Sequence, residues 1–560
     1  MNFKRISAFM TAILLVFSSS SCTLRGTGNS SGKYNSTEKS DNKDQDEKKN
    51  DKNDAYDEKN KNDSYDFNPI KDSQRLDVIR DHVNTLIEDL KEDSDEDAVQ
   101  NGINTLLADF DELYEEYTKL TISYYLDMDN TNLEADADNA YENMNIASGL
   151  ITFAFCKGHD SEKYSHLFTD LVFSDDAYEF YSDPSLTIKK LEGYTRVESW
   201  IKDEQIDQFH DVAYDEDMDD DEKNLKCAEI LLEILRDYDT DSFYSQYYRD
   251  YTAEDIMELA NVVKDELIPA SDEILKCIRK MDNGMDIVYD PVEFDNPFET
   301  IAEYAAELSP EISDAANKLL EDNEYSISDG DGSYNGSFTA YLPVSKKGTI
   351  YITDNKDYYS LLTPVHEFGH YYAQTYDDIP TYLATSNLDI AEIQSQGFEC
   401  IFTRFYDDIY GDQADAMLAA KSYDLVNAVI SGFGVGEFEY TVLENIDLFT
   451  PEDVVKCWED MAADSMPGVE LYMINHVFES PGYYISYAVS ALAAFDIWKD
   501  CLNNPDKALE KYQKIAMISY NDHNYAFRSA INEAGFSDVF SEKYIRDLSD
   551  YLIEYADDLN

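Results

Sequence analysis

The sequence predicts a mainly α-helical fold, and three observations carry that expectation. Apolar residues recur in alternating steps of three and four: Leu76, Ile79, Val83, Leu86 and Leu90, then Val99, Ile103, Leu106, Phe110, Leu113, Tyr117 and Leu120. This spacing gives each helix one apolar stripe and leaves its acidic residues facing outward. Proline and glycine are scarce, at 13 and 21 in 560 residues, so little interrupts the helices. Strand-like patterning is clear in one place only, between residues 337 and 353.

The N-terminus reads as an address. Lys4 and Arg5 precede the apolar run Ile6 to Phe17, which leads into Ser18 to Ser21 and Cys22. A basic start, a short apolar core and small residues describe a secretory signal peptide over residues 1–21. The run is too short to span a bilayer. A cysteine directly after small residues resembles the lipobox of bacterial lipoproteins, although Ser19 stands where that pattern usually has Leu. The resemblance implies lipidation of Cys22 and anchoring to the outer face of a bacterial cell membrane; full secretion is the alternative. Residues 22–68 then hold the anchor cysteine and a polar stretch with almost no aliphatic residue. Such a segment cannot bury enough apolar surface to offset its ordering entropy, which predicts a disordered tether.

Over the whole chain, 43% apolar composition is ample for a core, while a net charge of -73 makes nucleic acid a repelled partner. The 44 tyrosines are mostly amphipathic packing residues. Seven cysteines form no C-x-x-C pair, which removes support for a cysteine zinc site or a thioredoxin-like motif. Cys156, Cys227, Cys277, Cys400 and Cys501 read as small buried hydrophobes. Residues 69–330 are expected to form a helical lobe, continuing after the two stripes with 139–155, 222–238, 253–267 and 271–281. The acidic loops 237–241 and 329–333 lack the glycine and the final glutamate of an EF-hand and read as turns. The chemistry is expected in residues 331–560.

There, Ser337–Leu342 and Thr349–Thr353 predict a hairpin around Lys346, Lys347 and Gly348. Its free edge could pair with an extended peptide. Next comes His366-Glu367-Phe368-Gly369-His370. On a helix the two imidazoles lie one turn apart and can share a metal, with Glu367 beside it as general base, which is the H-E-x-x-H arrangement of zinc peptidases. The helix is expected to start near Asp357 or at Thr363, with Thr363 as cap and Pro364 in the first turn. A zinc site needs a third protein ligand. Asn387 or Ser386 can cap a following helix that carries Glu392, Ser395 and Glu399 on one face. Glu392 is then the third ligand, and Glu399 can orient a ligand imidazole.

The H-E-F-G-H segment followed by Glu392-Ile393-Gln394-Ser395-x-x-x-Glu399 resembles the oligoendopeptidase F and thimet oligopeptidase family of zinc metallopeptidases. The likeness continues at His476, Pro481, Tyr483, Tyr484, Ile485 and Tyr487, with Gly482 in place of a usual Phe and Ser486 in place of a usual acid, and in the E-F-E run Glu437-Phe438-Glu439. It covers roughly residues 336 to 541. The resemblance implies two helical lobes closing over a deep channel, a small sheet beside the metal helix, and one Zn2+ per chain on His366, His370 and Glu392. It further implies His476 and Tyr487 as donors to the carbonyl oxygen, Tyr483 and Tyr484 as substrate contacts, and peptides as substrates. A carboxypeptidase Taq-like exopeptidase and a non-catalytic peptide-binding lipoprotein are the alternatives. Oligomeric state is not legible in the sequence.

Overall fold

The computed structural model describes residues 74–559, apart from 92–93, 170, 172–177, 179–180, 183–202 and isolated loop positions between 216 and 355. The expected signal peptide, Cys22 and the tether lie outside the described residues. So do parts of both acidic loops.

Helices α1 (Gln74–Lys91), α2 (Glu96–Tyr125) and α3 (Thr131–His159) form a bundle with its own core. Its centre is built from the predicted stripes, including Val83, Leu86, Val99, Ile103 and Leu106. Asp95 caps α2 by accepting from the Ala98 amide at 2.8 Å.

Next come α4 (Asp203–Ala213), α5 (Asp220–Leu235), α6 (Ala253–Lys280), α7 (Pro297–Ala305) and α8 (Pro310–Glu321). The sequence predicts two helices, 253–267 and 271–281; a single α6 runs through Pro269 instead. An interior proline costs about 3 kcal/mol. Here the buried stripe Ile256, Leu259, Val263, Leu267, Ala270, Ile274 and Cys277 keeps its three-and-four spacing across the proline, and that burial outweighs the cost. These helices share one apolar core with the helices after residue 330, while Phe338, Ala340 and Tyr351 of the sheet form a small cluster with Ile122 of α2, and Tyr382 and Leu383 pack on the bundle core.

The three-stranded sheet has the order β1-β3-β2, with β1 Tyr325–Ser328, β2 Phe338–Leu342 and β3 Lys347–Thr353. β2 and β3 make the predicted hairpin, pairing Phe338 with Tyr351 and Leu342 with Lys347. β1 adds in parallel, a strand of four residues too short to announce itself in the sequence.

The remaining helices of eight residues or more are α9 (Leu362–Gln374), α10 (Leu388–Phe402), α11 (Ala414–Glu444), α12 (Pro451–Ser465), α13 (Ile485–Asn503), α14 (Pro505–Ala516), α15 (Phe527–Ala534) and α16 (Glu542–Asp558). α13, buried continuously from Ile485 to Trp498, packs between α10 and α11. No described helix is long and apolar enough to cross a membrane. Cys156, Cys227, Cys277 and Cys400 are buried thiols, whereas Cys457 and Cys501 are partly exposed; all six are free.

Candidate metal centre

α9 begins two residues earlier than a Thr363 cap predicts. Leu361 precedes it without a side-chain cap, so Thr363 lies inside the helix, buried, and does not cap it. Pro364 is the third helical residue, where its missing N–H would have had no intrahelical acceptor in any case. Gly369 permits the key approach. A Cβ there would stand 2.7 Å from Ser395 Cα and 2.8 Å from the Gln394 carbonyl oxygen, so only glycine lets α9 and α10 touch backbone to backbone. α10 starts as predicted, with the Asn387 side chain accepting from the Ile390 amide.

That contact brings His366, His370 and Glu392 together, with ligand atoms all within 4.8 Å of one another. His366 Nδ1 donates to Glu399 Oε1 at 2.8 Å. Its Nε2 lies 3.5 Å from Glu392 Oε2 and is buried without a hydrogen-bond partner. Burial opposes charge on His366, yet its bond to Glu399 and the charges of Glu399, Glu392 and Glu367 prevail and lift its pKa to about 9. Burial pushes Glu392 up to about 8 and Glu367 up to about 7. It drives His370 well below the ordinary range, helped by the charge of His366. Burial penalises charge on the carboxylates and imidazoles alike, and the charges they exert on one another decide which of them keep it. Two imidazole nitrogens and a carboxylate around one point, with an orphaned buried nitrogen facing it, fit a divalent cation such as zinc with a fourth position left open.

Two supports went unseen in the sequence. Thr339 Oγ1 on β2 sits 2.8 Å from Glu367 Oε2 and 2.9 Å from the Glu367 carbonyl oxygen, fixing the glutamate beside the ligands. Lys421 of α11, only 4% exposed, pairs with the second oxygen of Glu399. A lysine following the apolar run Met417 to Ala420 was the one available hint. Lys421 and His366 hold the Glu399 carboxyl below its usual range, against the pull of burial.

Across from α9 lies the aromatic segment. His476 sits on a short helix, Asn475–Glu479, buried and stacked on Tyr483 with ring centres 4.9 Å apart; the Tyr487 ring meets it edge-on at 6.1 Å. The Tyr487 hydroxyl donates to the Tyr483 hydroxyl at 3.1 Å. Burial lowers the His476 pKa, keeping the ring neutral near pH 7. Gly482 has φ +81, the left-handed region that favours glycine. Its N–H donates to Glu439 Oε1 at 2.8 Å and its carbonyl accepts from Arg249 at 2.6 Å. The glycine thus answers to the loop backbone, whatever subsite it also shapes.

Arg249 was also missed. Its side chain is fully buried, pairs with Asp389 at the start of α10, donates to Ser486 Oγ at 2.7 Å, and lies over the rings of Tyr244, Tyr247 and Tyr251.

A cavity of about 210 Å³ joins the two sides, lined by His366, Glu392 and Glu399 on one and by Tyr484 and Tyr487 on the other. His370, Glu367, His476 and Tyr483 are not among its lining residues; the last two adjoin it through Tyr487. His366, His370 and Glu392 are the one His/Cys/Asp/Glu group with metal-binding geometry among the described residues.

No family model and no curated protein sequence matches this chain. Solved structures do. A protein assigned as an oligoendopeptidase F shares 15% identity over 88% of this chain and 98% of its own, with a TM-score of 0.69. Pz peptidase A, solved with an inhibitor, shares 14% over 88% and 99%, with a TM-score of 0.67. An oligoendopeptidase F assigned in Bacillus anthracis shares 14% over 87% and 98%, with a TM-score of 0.66. At these identities the likeness establishes the fold: this chain has the mainly helical architecture of oligoendopeptidase F structures.

Proposed function

We propose that this chain is a zinc-dependent endopeptidase hydrolysing short or unfolded peptides. The observation that carries the reading is the convergence of His366, His370 and Glu392 within 4.8 Å, beside a buried Glu367 and across a cavity from Tyr484 and Tyr487. When bound by these three side chains, zinc supplies a Lewis acid for amide hydrolysis. Glu367 takes a proton from the attacking water and passes it to the leaving amine. The Tyr487 hydroxyl, on turning its proton away from Tyr483, and the neutral His476 ring are the donors for the charge that develops on the carbonyl oxygen. Tyr483 holds both, and Tyr484 faces the substrate from the cavity wall.

Endopeptidase action is favoured over carboxypeptidase action by the cavity lining. A carboxypeptidase needs a cation for the free carboxylate, and Lys421, the one Lys or Arg lining the cavity among the described residues, is engaged by Glu399. The N-terminal pattern supports work outside the cell, on a lipid anchor at Cys22. The test is zinc content and turnover of a peptide blocked at both ends, for the parent and Glu367→Gln. The parent should hold one zinc and cleave; the variant should keep zinc and peptide binding and lose about 10²–10⁴-fold in kcat. A parent that binds peptide without turnover ends the enzyme reading, and one that needs a free C-terminus is a carboxypeptidase.

A further inference from the structure

We propose that the cavity beside the metal centre is a subsite for a cationic group of the peptide, a lysine or arginine side chain next to the cut. This rests on the peptidase reading and names its substrate class. Besides Glu392 and Glu399, three carboxylates from three helices line the cavity: Asp272 of α6, Asp424 of α11 and Asp464 near the end of α12. Lys421, the one Lys or Arg among the described lining residues, has its ion pair with Glu399, and its charge offsets the burial of Asp424 only in part. An acidic lining alone would say little in a chain of net charge -73. Gln396 is what points to a ligand. It lines the same cavity one turn beyond Glu392, is 6% exposed, and its Oε1 is buried with no donor. Buried acceptors are rarely left so, and an incoming ammonium or guanidinium brings the missing hydrogens. Asp424 points the same way: burial pushes its carboxyl up to about 7 against the charge of Lys421, and its one side-chain donor among the described residues is the Tyr358 hydroxyl at 3.4 Å. Leu275, Leu425 and Met466 supply apolar wall for the aliphatic stem of a long basic side chain.

The experiment uses the zinc-loaded chain and doubly blocked fluorogenic peptides that place Arg, Gln or Glu in turn at each position around the cut. kcat/KM is read for cleavage, and Kd by fluorescence anisotropy on Glu367→Gln. At one position, Arg should exceed Gln by about tenfold, and Glu should fall below Gln. Asp464→Asn and Gln396→Leu should each lower the Arg-to-Gln ratio several-fold. A folding defect acts on both peptides and cancels from that ratio. An Arg-to-Gln ratio of one or less at every position, or ratios untouched in both variants, overturns the proposal. If no peptide is cleaved, the peptidase reading fails, and the anisotropy ratio still decides whether the cavity selects a cation.

Discussion

In α2 the buried residues Val99, Ile103, Leu106, Phe110, Leu113, Tyr117 and Leu120 form one stripe, with much of the opposite face in water; in α10 every residue after Leu388 is buried, carboxylates included. α9 is similar, with His366 the one residue not wholly enclosed. The first kind of helix draws its stability from apolar area and asks little of its polar face. The second holds ionisable groups largely withdrawn from bulk water, so each depends on a named partner, and losing that partner costs more than a surface pair contributes.

Three substitutions sharpen this contrast. Lys421→Met should have the largest effect, leaving Glu399 a buried carboxylate whose remaining partner is His366. The expected loss is about 3–5 kcal/mol of stability, with zinc binding weakened about 10–100-fold; denaturant unfolding and a chelator-competition titration measure these. Unchanged zinc affinity would separate Lys421 from the metal centre. Gly369→Ala should cost about 1–3 kcal/mol and also weaken zinc binding, because the added carbon meets backbone atoms of α10 and pushes Glu392 away. Thermal unfolding with and without zinc reads both effects. The same change at Gly102 in α2 should be the smallest. There the carbon meets the flexible side chain of Leu86 at 3.0 Å, and alanine's helix propensity returns up to about 1 kcal/mol. A Gly102→Ala cost equal to that at Gly369 would remove the distinction between the regions.

The same distinction explains what could be read from sequence. Stripe periodicity delivered the bundle helices, because there burial and pattern coincide. α9 and α10 were legible through a different signal, the spacing of His366, Glu367, His370, Glu392 and Glu399, since helices buried on all faces have little pattern to find. Lys421, Thr339 and Arg249 stayed hidden because each reaches the site from an element remote in sequence, and no local spacing connects them to it. The proline rule misled at Pro269, where tertiary burial outweighed a local penalty. Thr363 was misread as a cap because the residues before it, Leu361 and Leu362, carry no capping side chain and gave no reason to start the helix earlier.

Arg249 has a consequence for how this sequence can vary. One guanidinium serves Asp389, the Gly482 carbonyl and Ser486, so these positions are energetically coupled and substitutions among them are not additive. Asp389 already supplies the single negative charge that one buried arginine can balance. An acid at 486, usual in the resembling peptidases, would place a second carboxylate on the same cation. Serine at 486 is therefore one half of a two-residue solution whose other half is aspartate at 389, and a drift at either position is constrained by the residue standing at the other.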